Sequence, residues 1–310
     1  MSEVHPLTAG ISASGTDARP GIRAWIMLFR RFLPGLRAWM LAPSLLVVSA
    51  LFLLPMAWFF VLSFWRLRSY RLYPDFSFRN YAVAWTEYLD AAVFTLWMSL
   101  TVAAITLVIA YAMAFFIRFR AGRFSGAVLL ITLATLFGGY LVKIYAWKTI
   151  LGSTGILNQF LLGTGLVSEP VSWLLYSPFA IIISLTHFLL PFAVLPIYAS
   201  LRRIDERHIE AARDLGASNH RAFRDIILPQ SESGIFVAFT IAFLVTAGDY
   251  VTPTLVGGSS TFMVGTFIQS QFVNRMNTPL GSALSFGMLA SCLVILLIAR
   301  ALLRACLRVR

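Results

Sequence analysis

Residues 201–230 read LRRIDERHIEAARDLGASNHRAFRDIILPQ, a charged stretch between two long apolar blocks. Asp205 is the expected N-cap of a first short helix, because its side-chain oxygen can accept a hydrogen bond from a free backbone N–H group there. Gly216 is the residue type expected just past the end of that helix. Ser218 can cap a second helix, and Pro229 is predicted to end it. The stretch therefore predicts a hairpin of two short helices that joins two apolar segments.

The surface of this hairpin combines charged, small and apolar side chains. Glu210 is followed by Ala211 and Ala212, whose small side chains let the backbone of a partner approach closely. The arginines of the stretch are nearly balanced by acidic residues, so the segment is not a patch for binding a polyanion. A short helix of this kind favours insertion into a groove on a soluble protein.

The composition of the chain decides its broad class. Of the 310 residues, 59% are hydrophobic and 12% are charged, whereas a soluble domain is roughly half apolar and a quarter charged. A disordered chain, a disulfide scaffold and an ordinary cytosolic enzyme are therefore excluded. We expect an all-α integral membrane protein with six transmembrane helices of about 20 residues or more. The predicted spans are 39–64, 92–117, 126–148, 178–200, 231–250 and 282–303.

The arginines set the expected orientation in the membrane. If both ends of the chain are cytoplasmic, the inner segments collect most of the basic residues, as the positive-inside rule requires. The exception is the first outer loop, which carries Arg66, Arg68, Arg71 and Arg79. We expect a cytoplasmic tail at 1–38 that includes a basic, aromatic helix at the membrane interface. The membrane domain is predicted at 39–305, and a short cytoplasmic tail at 306–310.

Several kinds of site are not expected in this chain. Lys143 and Lys148 are the two lysines, and neither follows a glycine, so the sequence has no phosphate-binding loop of the Gly-Lys-Ser/Thr type. Cys292 and Cys306 lie about 21 Å apart on a continuous helix, too far for a disulfide. We expect no cofactor, no metal and no nucleic acid here. The net charge of +12 is accounted for by membrane topology.

The spacing of the helical hairpin resembles the coupling loop of permease subunits of ABC importers. The matching positions are Glu210, Ala211, Ala212, Gly216, Ile226, Leu228 and Pro229. The resemblance implies a type I ABC importer permease fold, with this coupling helix between spans 4 and 5, docked into an ATPase subunit. ATP and Mg are then implied on the partner ATPase, and this chain is implied to be non-catalytic.

Shorter motifs are similar to the subgroup of these permeases that serves spermidine and putrescine. They are Tyr145-Ala146-Trp147, Gly155-Ile156-Leu157-Asn158, Leu190-Pro191-Phe192, Gly248-Asp249-Tyr250-Val251-Thr252-Pro253 and Gly281-Ser282-Ala283-Leu284-Ser285. The resemblance implies half of a translocation path for a small cationic solute, above all a polyamine. The implied partners are an ATPase dimer, a second homologous permease, an external solute-binding protein and membrane lipid. The implied location is the bacterial inner membrane, and the family favours a heterodimer of permeases over two identical chains.

Asp249 is an acidic residue within the predicted span 231–250, near its outer end. A carboxylate at the centre of a membrane helix costs about 2.5–3.5 kcal/mol, so its side chain should face a cavity or a partner. One interpretation places Asp249, Tyr250 and Thr252 on the translocation path, where Asp249 meets a cationic solute. The alternatives are an ion pair with Lys143 and a cap on the broken end of the helix.

The remaining polar residues of the spans are interpreted as structural, namely Lys143, Lys148 and His187. Three rival functions are open. The chain could be an ABC permease for another solute, such as another amine, an opine or a metal complex. It could also be a stand-alone secondary carrier or channel, or a membrane anchor that transports nothing. A carrier or channel would not account for the helical hairpin at 201–230, whereas an anchor would fail to support uptake even with all its partners present.

Overall fold

The computed structural model describes residues 43–259 and 261–307. The predicted tail at 1–38, with its interfacial helix, lies outside the described residues, as do the start of the first predicted span and the last three residues. The chain divides into two compact units, residues 1–58 and 59–310. The described part of the first unit is helical and exposes its apolar side chains, which is typical of a helix in lipid.

Helices make up nearly all of the regular structure in the described part of the chain. They are α1 (Pro43–Leu62), α2 (Arg79–Glu87), α3 (Leu89–Phe119), α4 (Ser125–Ala134), α5 (Tyr140–Leu151), α6 (Ile156–Gly163), α7 (Pro178–Arg202), α8 (Glu206–Asp214), α9 (Asn219–Gln230), α10 (Glu232–Ala247), α11 (Val251–Val256), α12 (Val264–Val273) and α13 (Thr278–Leu307). Two short strands, β1 (Arg66–Arg68) and β2 (Arg71–Tyr73), precede α2. The predicted helical fold class is confirmed.

Among residues 43–259 and 261–307, four helices are long and apolar enough to cross a membrane, namely α1, α3, α7 and α13. Two bent pairs of helices also pass this test, which allows up to six spans in the described part of the chain. Helix α13 runs through Leu307, so the helix passes the predicted start of the C-terminal tail at 306.

The predicted span at 126–148 is not one straight helix. The stretch Gly122–Phe137, which contains α4, meets the stretch Tyr140–Gly163 at an angle of 93°. Gly138 and Gly139 form the break, and both have extended backbone conformations there. Two successive glycines favour such a break, because each is about 1 kcal/mol less favourable than alanine inside a helix.

The strands form a hairpin that the sequence analysis did not predict. They pair antiparallel, with Arg66 opposite Tyr73 and Arg68 opposite Arg71. Ser69 and Tyr70 form the turn, with φ angles of 47° and 60°. A two-residue turn with both φ angles positive matches the twist of the flanking strands. The strands are only three residues long and show no apolar alternation from which to predict them.

The core of the second unit lies between α3, α7 and α10. Small, fully buried side chains line it: Ala103 and Ala110 on α3, Ala193 on α7, and Ala238 and Ala242 on α10. Small residues at helix interfaces let the backbones approach closely, which is how helices associate in a membrane.

Helices α7 and α10 approach each other closely at Gly234. A Cβ atom at this position would collide with the Ser200 Oγ atom and would lie 2.6 Å from the carbonyl oxygen of Pro196. Glycine is therefore required at position 234 by packing and not by backbone conformation.

We expect Gly234→Ala to lower the free energy of unfolding by about 1–3 kcal/mol, because one added methyl group overpacks this contact. The matched control is Gly287→Ala on α13, where an added Cβ has no neighbour within 4 Å. The control should leave stability unchanged or raise it by up to about 1 kcal/mol, the gain in helix propensity. Denaturant titration of the two purified variants in mild detergent measures both values. Equal stability of the two variants would contradict this packing.

Candidate functional site

The helical hairpin at 201–230 folds around two side-chain caps and one turn. The Asp205 carboxylate accepts a hydrogen bond from the backbone N–H of Arg207 at 3.0 Å, at the start of α8. The Ser218 hydroxyl oxygen accepts one from the backbone N–H of Arg221 at 3.3 Å, at the start of α9. Between them, Gly216 has a φ of 86°, a value that favours glycine. The two caps and the glycine turn occur where they were predicted.

The prediction that Pro229 ends the second helix is wrong. Helix α9 continues through Pro229 to Gln230 and then meets α10 at an angle of 65°. A widened π-helical turn, Phe223–Ile227, directly precedes the proline. Such a turn alters the regular hydrogen-bond pattern of the helix, so a residue without a backbone N–H group can follow it.

The residues of the predicted coupling loop divide between two faces. Glu210, Ala211 and Gly216 are exposed on the outer face, and Ala212 is half-buried. Leu215, beside the glycine turn, is 90% exposed. No ion pair to Glu210 occurs among residues 43–259 and 261–307. The outer face thus presents an anion and an apolar side chain.

The last three loop residues, Ile226, Leu228 and Pro229, are half-buried and lie on the inner face. Their neighbour Ile227 is buried, and so is Ile209 of α8. Both belong to the apolar cluster that contains Ile117 of α3. The inner face of the hairpin is therefore part of the protein core, which holds the outer face in place.

Three contacts fasten the hairpin to the end of α3. The Arg118 Nη1 atom lies 2.6 Å from the Glu206 Oε1 atom. The Phe223 ring packs edge to face on the Phe115 ring, with centroids 5.7 Å apart. The Tyr111 hydroxyl lies 3.1 Å from the Ser231 hydroxyl. The hairpin is thus held by α3 as well as by its covalent connections to α7 and α10. The sequence analysis missed Arg118, whose only signal was its place at the end of an apolar run.

A second site surrounds Asp249 in the break between α10 and α11. The Oδ1 atom accepts a hydrogen bond from the Tyr140 hydroxyl at 2.6 Å. It also accepts from the backbone N–H groups of Val251 at 2.9 Å and Thr252 at 3.4 Å. The Asp249 residue is 7% exposed, and its Oδ2 atom is buried without a hydrogen-bond partner in the described structure. One oxygen of this carboxylate is fixed by the fold, and the other is free to accept.

The three residues predicted for the translocation path do not form one cluster. The structure brings Asp249 and Thr252 together, because the Tyr140 hydroxyl lies 2.8 Å from the Thr252 hydroxyl. Tyr250 instead lines a cavity of about 490 Å³ with Gln269 of α12 and Met288 of α13. The sequence analysis missed Tyr140, although it directly follows the pair of glycines that breaks its span.

The alternatives for Asp249 can be compared with this geometry. The carboxylate caps the broken end of the helix, as one interpretation expected. No ion pair with Lys143 occurs in the described ranges. The Lys143 Nζ atom instead lies 5.5 Å from the centroid of the Phe188 ring.

The other two polar residues of the spans also have aromatic neighbours. The Lys148 Nζ atom lies 5.9 Å from the centroid of the Tyr176 ring. His187 accepts a hydrogen bond at Nδ1 from the Trp147 indole N–H at 3.2 Å. These contacts fit the structural roles that were expected for both residues.

Residues 127–307 match the family described as "Binding-protein-dependent transport system inner membrane component". This match covers more than half of the chain and includes both sites. The chain belongs to this family of permeases.

This permease is similar to permease proteins of spermidine/putrescine transport systems. It is 35% identical over 196 residues to the spermidine/putrescine transport system permease protein PotB of Haemophilus influenzae, covering 62% of this chain and 68% of that protein. It is 33% identical over 198 residues to PotB of Escherichia coli, covering 64% and 72%. A shorter similarity to the permease protein PotC of Escherichia coli has 38% identity over 73 residues, which are 24% of this chain and 28% of PotC.

A solved structure supports the same fold. The bacterial alginate ABC transporter, crystallised with an alginate pentasaccharide-bound periplasmic protein, contains a chain that superposes with a TM-score of 0.67. The superposition covers 92% of this permease and 99% of that chain at 20% sequence identity. The expected ABC importer permease fold is confirmed by this likeness.

We expect the Arg118–Glu206 ion pair to stabilise α8 by about 0.5–1 kcal/mol, since the pair is only partly buried. A double-mutant cycle with Arg118→Gln and Glu206→Gln measures this coupling energy. In each variant, hydrogen exchange of the α8 backbone amides gives the free energy of opening α8. The control cycle uses Arg224→Gln and Asp225→Asn, whose side chains lie 3.8 Å apart and whose arginine is 77% exposed, against 22% for Arg118. The control should show no coupling. The same coupling energy in both cycles would contradict the proposed fastening of α8 to α3.

Proposed function

We propose that this chain is a permease subunit of an ATP-driven ABC importer and forms half of the translocation path for a polyamine. The observation that carries the solute class is the identity of about one third to the two PotB permeases. The site around Asp249 supports a cationic solute, because its Oδ2 atom is a buried acceptor without a partner in the described residues. The likeness to the alginate transporter concerns the fold alone.

The helical hairpin is proposed to dock into a groove of the ATPase subunit. Its outer face suits such a groove, because Glu210 offers a charge without an ion-pair partner in the described part of the chain and Leu215 offers an exposed apolar side chain. Ala211 and Ala212 leave room for the backbone of the partner. ATP and Mg are proposed to bind on that ATPase, and this chain contributes no catalytic residue.

The other partners follow from the family and its relatives. The family depends on a binding protein, which supports an external solute-binding protein as the donor of solute. The similarity to PotC supports a second, homologous permease, and hence a heterodimer. The hairpin is proposed to lie in the cytoplasm together with both termini. Since α3 joins the hairpin to the opposite end of the bundle, the β1–β2 loop would then face outward.

A direct test of the solute class uses the host of the protein. Deletion of this chain should abolish high-affinity uptake of labelled spermidine or putrescine, and the full chain supplied in trans should restore it. Uptake of glutamate, an anionic control solute, should not change. If polyamine uptake persists while uptake of another solute is lost, the chain is an ABC permease for that solute. If assembly with an ATPase also fails, the importer assignment itself is overturned.

We expect Asp249→Asn to raise the KM of uptake about tenfold or more. The reason is that the variant loses the interaction of a carboxylate with a cationic solute, which is worth roughly 1.5–3 kcal/mol. Asparagine keeps the acceptor oxygen for the Tyr140 hydroxyl and the two backbone N–H groups, so the assembled complex should form normally. The matched control is Tyr140→Phe, which keeps the carboxylate and removes the two hydrogen bonds of the Tyr140 hydroxyl.

The control should lower stability by about 1 kcal/mol and change the KM little. Uptake kinetics and size-exclusion chromatography of both variants measure these effects. An unchanged KM for Asp249→Asn would remove Asp249 from the translocation path. Loss of assembly in Asp249→Asn would instead assign its carboxylate to the helix cap.

A further inference from the structure

The β1–β2 loop carries a concentration of positive charge that the proposed transport path does not use. We name residues 66–73 together with Arg79 the arginine hairpin. It contains four arginines. One of them, Arg66, forms an ion pair with the nearby Asp75, and the Arg66 Nε atom lies 3.1 Å from the Asp75 Oδ2 atom. Short outer loops of membrane proteins tend to be poor in arginine. The charge of this loop therefore calls for a partner of opposite charge.

The arginines surround a concave site of about 300 Å³. Arg66, Arg68 and Arg79 line it, together with Asn80 and with Asn277 at the start of α13. No acidic side chain of the described residues lines this cavity. Arg68 and Arg79 form no ion pair among the described residues. The site thus offers two free guanidinium groups, and a carboxylate can bind each of them through two parallel hydrogen bonds.

The arginine hairpin is rigidly attached to the protein. The Asn80 side-chain amide donates hydrogen bonds of 2.8 Å to the carbonyl oxygens of Ser63 and Trp65. The Arg66 Nη2 atom donates a hydrogen bond of 3.0 Å to the Ser77 hydroxyl. A preorganised site loses little conformational entropy when a partner binds.

Exposed aromatic side chains lie within the arginine hairpin and in the segment that follows it. Tyr70 at the turn is 86% exposed, and Phe76 and Phe78 are also exposed. The Phe76 ring stacks on the Phe64 ring at 4.5 Å, so that its position is fixed. Exposed tyrosine, phenylalanine and arginine together are typical of protein–protein interfaces.

We infer that the arginine hairpin is a docking surface for acidic side chains of the soluble solute-binding protein. This inference rests on the proposed function, which places the hairpin on the outer side of the membrane. A membrane surface is the less suitable partner, because the strong negative potential of anionic lipids belongs to the cytoplasmic leaflet. Electrostatic complementarity of this kind mainly accelerates association and selects the correct partner.

The test uses the complete complex in nanodiscs and the purified solute-binding protein of the same host. The variant is Arg68→Glu combined with Arg79→Glu, which leaves the Arg66–Asp75 pair intact. We expect it to slow association about tenfold or more at low salt. The difference should nearly vanish at about 1 M salt, where charges are screened within about 3 Å. The control, Arg68→Lys with Arg79→Lys, keeps the charge and should associate within about twofold of the unsubstituted complex.

The outcomes separate this inference from the proposed function. Unchanged association of the Glu variant, at normal stability of the complex, would overturn the docking surface alone. If the Glu variant instead loses bound anionic phospholipid, measured by native mass spectrometry, the arginine hairpin is a lipid anchor and the inference is overturned. If even the unsubstituted complex fails to bind a solute-binding protein, the proposed function falls and the docking surface falls with it.

Discussion

The close approach of α7 and α10 at Gly234 is the contact on which the rest of the structure depends. Gly234 lies four residues after the end of α9, and its neighbour Ser200 lies two residues before the end of α7. The contact therefore sits at the neck of the helical hairpin, where the chain leaves one helix and enters the other. Because Gly234 has no side chain, the backbones of α7 and α10 come into contact there. Helix α3 packs against both of these helices.

Helix α10 connects the two candidate sites directly. It begins two residues after Gln230 of the helical hairpin, and it ends two residues before Asp249. Its 16 residues span about 24 Å without a break. The contact with Gly234 holds one end of this helix, and the hydrogen bonds to Asp249 hold the segment after the other end. In the proposed importer, a shift of the hairpin would change the surroundings of Asp249 through one rigid element, which is the kind of physical connection that coupling between sites requires.

The sequence predicted what local rules determine. Helices α3, α7 and α13 lie within a few residues of predicted spans because a long apolar run has no other favourable arrangement in a bilayer. The caps at Asp205 and Ser218 were predictable because each involves residues two or three positions apart. The contact of Tyr140 with Asp249 joins residues 109 positions apart, and no local pattern contains that information. The bend at Gly138 was missed for a different reason. Helix propensity indicates that a helix is unstable at a glycine, but it does not give the angle between the two helical segments.

The two breaks in otherwise helical segments have a common result at Asp249. Backbone N–H groups inside a continuous helix are already bonded, so they cannot hold a carboxylate. The end of α10 frees the N–H groups of Val251 and Thr252, and the break before α5 places the Tyr140 hydroxyl beside them. Irregular backbone at membrane depth is tolerated only where it is buried in protein or lines a cavity. These donors satisfy one oxygen of Asp249, and the other has no hydrogen-bond partner among the described residues. A buried acceptor in that state is stabilised when a donor or a cation arrives.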